Sequence, residues 1–172
     1  AENLGFAAGN NVALRQVSGR HVLLLNTDTI VRRDTLRTMV EFLDAHLDVG
    51  ALGCKILNPD GTLQYDCKRG FPTPMAAIYK LTGLSRLFPK SPRFARYDMT
   101  YIDEDETAEV DALSGSCTMV RKETMDQVGL LDEDYFMYGE DLDWYFRMHK
   151  AGWKIYYLPT TEIIPFRGER GD

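Results

Sequence analysis

Apolar and polar positions along the chain follow two periods, one typical of strands and one of helices. The uninterrupted apolar run at residues 22–25 predicts a strand buried on both faces, as in the centre of a parallel sheet. Further strands are predicted at residues 50–57, 62–65, 110–120 and 153–158. Helices are predicted at residues 6–17, 75–84, 123–128 and 140–151, with another capped by Asp34. This alternation predicts an α/β fold, and the hairpin signal at residues 58–61 indicates a mixed sheet.

Length and composition narrow the class of protein. The 172 residues suffice for one domain, and the net charge of -6 disfavours nucleic acid as a partner. The short basic pairs at residues 32–33 and 68–69 are interpreted as solvated surface. No stretch is typical of a transmembrane span or a signal peptide, so a cytoplasmic location is expected. Three scattered cysteines fit a reducing compartment and argue against a disulfide framework or a zinc site.

The first candidate site follows the apolar run directly, at Asn26-Thr27-Asp28. Ligands of open α/β sheets bind beyond the carboxyl ends of the strands, which places Asp28 where a ligand would bind. A carboxylate there can hold a hard cation, and the cation can neutralise a diphosphate. The alternative is a turn in which Asn26 or Asp28 caps the next helix or bonds its own backbone.

The second candidate site is an acidic segment at the start of the helix predicted at residues 140–151. Acids in a first helical turn are favoured by the helix dipole, which alone accounts for Glu140 and Asp143. Asp141 is different, because a carboxylate beside an apolar cleft can serve as a base. The aromatic residues around it are Tyr135, Phe136, Tyr138 and Trp144.

The third candidate site lies near the N-terminus. Gly5 and Gly9 let the backbone approach a ligand closely, and the amides of Asn3 and Asn11 suit sugar hydroxyls or a base edge. The alternative is a helix N-terminus with an asparagine cap. The segment has neither the lysine of a phosphate-binding loop nor a dinucleotide fingerprint.

Together these segments resemble family two of the nucleotide-sugar glycosyltransferases, which have the GT-A fold, and most closely its rhamnosyltransferase-like branch. Residues 3–11 resemble the family's N-x-G-F-x-x-G-N-N segment, and residues 26–28 its D-x-D motif with Asn26 in place of the first Asp. The family's NPDG-x-x-Q, SGA-x-M-L-V-R and LDE-x-F-F-M-Y-x-E-D-x-D blocks resemble residues 58–64, 114–121 and 131–143.

The resemblance implies an inverting, nonprocessive sugar transfer from a nucleotide-diphosphate donor to a glycan or lipid-linked acceptor. Asp141, with Glu140 beside it, would be catalytic, and Asp28 would hold Mn²⁺ or Mg²⁺. The resemblance further implies a peripheral position at the inner membrane face and an acceptor-side, flexible role for residues 71–101. The substrate-binding residues it implies are Asn3, Gly5, Asn11, Asn26, Gly115, Ser116 and Trp144.

The sequence also departs from the family pattern in two places. Members begin with a strand-helix-strand unit, and the chain is expected to be a single partial domain, residues 1–172, that lacks this unit. The strand at residues 22–25 would then have an exposed edge, through which a homodimer is predicted. Pro165 stands where members often have a metal-binding His. These departures leave open a sugar- or nucleotide-binding module without turnover, whereas a nucleotidyltransferase is disfavoured because no triphosphate loop is present.

Overall fold

A computed structural model of the chain describes residues 5–136 and 138–165. Its first half contains α1 (Gly5–Leu14), β1 (His21–Leu25), β2 (Thr29–Val31), α2 (Thr35–Ala45), β3 (Val49–Ile56), a 3₁₀ turn (Tyr65–Cys67), β4 (Lys68–Arg69) and α3 (Pro74–Leu81). The second half contains α4 (Leu84–Leu87), β5 (Ala108–Glu109), β6 (Ala112–Leu113), β7 (Cys117–Arg121), α5 (Lys122–Val128), α6 (Glu140–Lys150) and β8 (Lys154–Pro165). None of these helices has the length and hydropathy needed to cross a bilayer.

The centre of the fold is a mixed sheet, which confirms the predicted α/β class. Within the described ranges its strand order is β1-β7-β3-β8-β2. The short strand β5 also pairs with β8, at Tyr156 and Tyr157. Strands β3 and β8 are parallel, whereas β7 is antiparallel to both β1 and β3. All eight residues of β3 are buried, as expected for a central strand that is covered on both faces. A separate pair, β4 with β6, lies outside this sheet.

The apolar run predicted a central parallel strand, and this was wrong because β1 is antiparallel and lies at the end of the sheet, where an exposed edge was also predicted. Among the described strands it pairs only with β7, in antiparallel register, and therefore forms an edge. Its burial alternates accordingly: Val22 and Leu24 are buried, whereas Leu25 is 37% exposed. An apolar run indicates that a strand can be buried, but it does not indicate how many strands will pair with it. Pairing with a second copy through this edge remains a prediction.

The last strand also differs from its predicted extent. β8 does not end at residue 158 but continues past Pro159 to Pro165. An irregularity in its register with β3 makes this possible, because Cys54 lies opposite Leu158 and the next residue, Lys55, lies opposite Glu162. The bulge accommodates the proline, which cannot donate a ladder hydrogen bond.

The region between β3 and β4 contains the predicted turn but not the strand predicted at residues 62–65. The amide of Gly61 donates to the Asn58 carbonyl at 2.9 Å, and Asp60 accepts a hydrogen bond from the Thr62 amide at 3.0 Å. Only one bridge, between Leu57 and Leu63, follows before the 3₁₀ turn begins. The turn thus lies at residues 58–61 as predicted, but the strand expected at residues 62–65 is reduced to this single bridge.

Helix α6 carries large side chains into the core. Trp144, Tyr145 and Met148 are almost completely buried on its inner face. The indole of Trp144 donates to the Gly129 carbonyl at 2.8 Å, and the Tyr145 hydroxyl shares a 2.9 Å hydrogen bond with Thr118 on β7. Burial raises the pKa of Tyr145 well above its ordinary value, so this phenol stays neutral. These contacts fix the position of α6 relative to the sheet.

A close backbone contact anchors the segment that contains α3 and α4. The amide of Gly70 donates to the Tyr97 carbonyl at 2.8 Å. A Cβ atom at Gly70 would lie 2.2 Å from the Arg96 carbonyl oxygen, so only glycine permits this approach. Arg96 also pairs with Asp111 at 2.9 Å. Both ends of residues 71–97 are thereby tied to the loop before β6.

We predict that Gly70→Ala lowers the free energy of unfolding by about 2–4 kcal/mol, because the methyl group collides with backbone that cannot retract easily. Chemical denaturation monitored by circular dichroism measures the change. Gly9→Ala is the matched control, since Gly9 lies within α1 and a Cβ atom there meets no heavy atom within 4 Å. That substitution should stabilise the chain by about 0.5–1 kcal/mol. Equal effects of the two substitutions would contradict the anchoring role of Gly70.

Candidate active site

One pocket of about 310 Å³ collects residues from widely separated parts of the chain. It lies where the end of β1, the turn between β6 and β7, β4 and the N-terminus of α6 meet. Its lining residues are Phe6, Asn26, Asp66, Arg69, Ser114, Gly115, Ser116, Tyr138, Glu140 and Asp141. Carboxylates outnumber cations in this lining.

The backbone just before α6 adopts an unusual conformation that positions the acidic residues. Gly139 is the N-cap with φ 102°, and Tyr138 has φ 68°, a region that non-glycine residues rarely occupy. Such strain persists only where the surrounding structure enforces it, and it is frequent at functional sites. Helix α6 begins immediately afterwards, so Glu140 and Asp141 lie in its first turn at the pocket wall.

An ion pair holds the Asp141 carboxylate in place. The Arg69 guanidinium donates to Asp141 Oδ2 at 2.6 Å and to the Leu113 carbonyl at 2.7 Å, while the Leu142 amide donates to Asp141 Oδ1 at 2.8 Å. The two side chains are only 17% and 20% exposed. Burial disfavours the charged form of Arg69, but the neighbouring carboxylate outweighs this effect and raises the pKa of Arg69 above its ordinary value.

Glu140 is the most deeply buried carboxylate of the pocket. It is 6% exposed, and its Oε2 atom has no hydrogen-bond partner among the described residues. Leaving a buried polar atom unpaired costs free energy, so a native structure that retains one calls for an explanation. The opening of this side chain onto a pocket provides one, because a ligand or water bound there would supply the missing donor.

A second wall of the pocket joins the end of β1 to the turn before β7. The backbone N–H of Asn26 donates to the Ser116 carbonyl at 3.0 Å. The hydroxyls of Ser114 and Ser116 share a 3.2 Å hydrogen bond. A Cβ atom at Gly115 would meet only Phe6, at 3.7 Å, so this turn leaves open space above its backbone. Three of the residues predicted to bind substrate, Asn26, Gly115 and Ser116, therefore line the same pocket as Asp141.

Asp28 lies apart from the pocket lining, on the exposed turn between β1 and β2. The Thr29 hydroxyl donates to the Asn26 carbonyl at 2.7 Å and closes this turn. In the part of the chain that the structure describes, no three His, Cys, Asp or Glu residues form a metal-binding cluster. The turn offers a cation one exposed carboxylate, that of Asp28, and ions such as Mg²⁺ or Mn²⁺ take further ligands from water and substrate phosphates.

Other residues predicted to bind substrate have structural contacts instead. Asn11 is 1% exposed, and its amide bonds Leu131 and Glu133, which ties α1 to the loop before α6. A Cβ atom at Gly5 would lie 2.4 Å from the Phe136 carbonyl oxygen, so the backbone that approaches Gly5 closely is the protein's own. Trp144 is buried and does not line the pocket. Asn3 lies outside the described residues.

Sequence reasoning missed the cationic side of the pocket. Lys68 and Arg69 were expected on the solvated surface, but Lys68 is 2% exposed and the side chain of Arg69 is mostly buried. The Lys68 ammonium donates to the carbonyls of Ile102 and Asp103, and burial lowers its pKa. Strand β4 has only two residues, too few for a burial period to show in the sequence. Only the long-range ion pair with Asp141 reveals the place of Arg69.

Comparison with known proteins gives a consistent picture. A sequence model described as glycosyltransferase-like family 2 matches residues 1–169. The N-acetylglucosaminyl-diphospho-decaprenol L-rhamnosyltransferase of Mycobacterium tuberculosis H37Rv is 37% identical over 129 residues, which cover 71% of this chain and 41% of that protein. The rhamnosyltransferase WbbL of Escherichia coli K12 is 27% identical over 170 residues, which cover 94% of this chain and 61% of that protein. The chain thus spans less than two thirds of these relatives.

A solved structure shows the fold. The mannosyltransferase PcManGT from Pyrobaculum calidifontis, in complex with GDP-Man and Mn²⁺, superposes with a TM-score of 0.59 at 21% identity. The match covers 97% of this chain and 38% of that protein. The expected GT-A-like arrangement of a mixed sheet flanked by helices is thereby confirmed.

The energetic coupling of Arg69 and Asp141 is testable with Arg69→Gln, Asp141→Asn and the double variant. We expect Arg69→Gln to destabilise the chain by about 3 kcal/mol, because it strands a mostly buried carboxylate. The double variant should cost less than the sum of the two single variants, with a coupling of about 1–3 kcal/mol. Denaturant unfolding supplies all the values.

The control is the exposed pair Lys122 and Asp126, one turn apart at the surface. Its coupling in the same cycle should be only about 0.3–0.5 kcal/mol. Additive effects of the Arg69 and Asp141 substitutions would mean that the ion pair does not hold the carboxylate.

Proposed function

The chain belongs to glycosyltransferase-like family 2, and from that premise we propose that it is the core of an inverting, nonprocessive glycosyltransferase. It would move a sugar from a nucleotide-diphosphate donor to a hydroxyl group of a glycan or lipid-linked acceptor. One observation carries the proposal. Asn26, the turn at residues 114–116 and Asp141 belong to three separate family-like sequence blocks, and all of them line a single pocket.

Asp141 would act as the general base of a single displacement. Its carboxylate would take the proton of the acceptor hydroxyl while the oxygen bonds to the anomeric carbon and the bond from that carbon to the diphosphate oxygen breaks. A carboxylate can accept about four hydrogen bonds. The bonds from Arg69 and the Leu142 amide therefore leave room for the acceptor hydroxyl. Arg69 is a positioning residue in this scheme, because it fixes the direction in which the carboxylate points.

Glu140 would complement Asp141 from the same helical turn. Its unpartnered oxygen, buried at the pocket wall, can accept a hydrogen bond from a sugar hydroxyl. The open backbone at Gly115 and the hydroxyl of Ser116 would contact the sugar from the adjoining wall. Asn11 and Trp144, by contrast, support the site through the loop and the core that they hold together.

A divalent cation would bind at Asp28, together with the donor. When bound, such an ion neutralises the charge that develops on the departing nucleotide diphosphate. The presence of both GDP-Man and Mn²⁺ in the mannosyltransferase structure supports a divalent cation that binds with the donor. Pro165 lies opposite Thr29, the residue after Asp28, and a proline side chain offers no ligand. The site is therefore expected to hold the metal well only when phosphate oxygens join it.

The relatives suggest the substrate class. The mycobacterial relative is named for rhamnosyl transfer to N-acetylglucosaminyl-diphospho-decaprenol, and the E. coli relative is also a rhamnosyltransferase. We therefore favour a deoxyhexose donor such as a rhamnosyl nucleotide and an acceptor linked to a lipid diphosphate. An acceptor of this kind resides in a membrane, so we favour transfer at a membrane surface and propose the inner face.

We predict that nucleotide diphosphate binds only weakly without metal and that Mn²⁺ strengthens binding at least about tenfold, because Asp28 and the phosphates would both supply oxygen ligands to the ion. Isothermal titration calorimetry measures both affinities. Asp28→Ala should remove the metal effect and leave the weak binding intact. Asp34→Ala is the control, since Asp34 is an exposed acid nearby whose side chain makes no capping bond. Equal metal dependence in the two variants would exclude Asp28 as the ligand.

The base assignment predicts that Asp141→Asn lowers kcat for sugar transfer by about 10²–10⁴-fold, since an amide cannot take the proton. Release of nucleotide diphosphate from a panel of nucleotide sugars, with saccharide acceptors added, measures the rate. Asp143→Asn lies in the same helical turn and loses an ion pair with Arg147, yet it should retain most of the activity. Folding of both variants is checked by circular dichroism. Full activity in Asp141→Asn would reject the base role.

A further inference from the structure

The segment from β4 to the end of the α3–α4 region has an unusual charge distribution. The whole chain carries a net charge of -6, yet no acidic residue occurs between Asp66 and Asp98. The basic residues of this stretch are Lys68, Arg69, Lys80, Arg86, Lys90, Arg93 and Arg96. An acidic protein thus has one cationic region, which gives it a strong charge asymmetry.

Part of this positive charge is not neutralised by the protein. Lys80 pairs with Asp98 and Arg96 pairs with Asp111. Arg86, Lys90 and Arg93 are exposed, and none of them forms an ion pair with a carboxylate in the described ranges. Three cations therefore remain available to an external anion.

Large apolar side chains are exposed in the same segment. Met75, Ile78 and Leu81 of α3 are 50%, 47% and 87% exposed and follow one another at intervals of three residues. The buried residues of α3, Ala76 and Tyr79, occupy the other side of the helix. At the end of α4, Leu87 and Phe88 are 69% and 46% exposed. Several exposed large apolar side chains within one short segment are typical of an interaction site.

The apolar surface is held in a defined shape. Tyr79 packs edge-on against Phe94 at 5.0 Å, and Phe94 contacts Phe88 at 5.4 Å between ring centroids. Thr73 caps α3 by accepting a hydrogen bond from the Ala76 amide at 3.2 Å. The close contact at Gly70 fixes the segment at its start. The exposed side chains are thus presented by folded helices that need not order on binding.

We propose that the α3–α4 surface, formed by Met75, Ile78, Leu81, Leu87, Phe88 and the cations Arg86, Lys90 and Arg93, docks onto a bilayer that contains anionic phospholipid. Apolar side chains beside uncompensated cations match the acyl boundary beneath a layer of anionic headgroups. The net negative charge of the whole chain would repel the same bilayer, so the cationic surface is the part that faces it. Charge complementarity therefore selects both the partner and the orientation.

The position of this surface suits a membrane-borne acceptor. Helix α3 begins at Pro74, five residues after Arg69, the partner of Asp141. Five residues span at most about 18 Å when fully extended. Docking would thus bring the candidate base close to headgroup level. Vesicle binding itself needs neither donor nor transfer, so the docking proposal and the sugar-transfer proposal can fail independently.

Vesicle co-sedimentation tests the proposal with the full chain. The probes are vesicles of equal parts phosphatidylglycerol and phosphatidylcholine, compared with vesicles of phosphatidylcholine alone. We expect binding to the anionic vesicles, weakened by added salt because exposed charges are screened. Arg86→Gln combined with Lys90→Gln should lower the partition coefficient by about 25-fold, and Leu81→Gln combined with Leu87→Gln by about tenfold or more.

Matched control variants carry the same changes elsewhere. Arg33→Gln with Arg37→Gln removes two exposed cations on or beside α2, and Leu36→Gln with Leu47→Gln removes two exposed leucines. Both control variants should bind vesicles as the parent chain does. Equal loss in control and test variants, equal binding to both vesicle types, or no binding to either would overturn the proposal, and the last result would point to an acidic protein surface instead. Circular dichroism, measured in parallel, should show that all four variants remain folded.

Discussion

The parallel pairing of β3 with β8 is the constraint on which the rest of the structure depends. β3 is buried along its whole length, and it aligns β7 on one side and β8 on the other. β7 in turn places the serine- and glycine-containing turn at residues 114–116 beside the end of β1. Helix α6 packs on β8 and β6 and brings Asp141 to the same place. The pocket thus forms where elements ordered by one central strand pair terminate.

The pocket combines two kinds of support with different consequences. The wall built by Asn26 and Ser116 rests on a backbone hydrogen bond and on neutral side-chain hydrogen bonds. The wall built by Arg69 and Asp141 rests on side-chain charge, which is sensitive to the loss of either partner. Catalytic chemistry in such a site would depend on the second wall, whereas the shape of the cavity depends on the first. Substitutions at the two walls should therefore affect turnover and binding differently.

How much of this was predictable depended on whether the signal was local. The start of α6 at Glu140 could be read from Gly139 and the acids that follow, because caps and first-turn charges are local features. The antiparallel pairing of β1 could not, because five apolar residues do not specify which strand will pair with them or in which direction. Arg69 and Asp141 lie 72 residues apart, so the local sequence around either residue does not predict their ion pair. The complete burial of Trp144 was not evident either, because it depends on a carbonyl partner for the indole nitrogen that only the folded chain supplies.

The contact at Gly70 has a consequence for how the molecule can move. Arg69 holds the carboxylate of the pocket, and the next residue is locked against the Arg96 carbonyl, so one peptide bond separates the two attachments. The pocket and the α3–α4 surface are therefore both attached to the chain at residues 69–70. This shared attachment restricts their rotation relative to each other. A displacement of the α3–α4 surface would therefore also displace the Arg69 guanidinium, because only one residue step separates the two contacts. An insertion between residues 69 and 70 would disconnect the two while leaving each of them chemically intact.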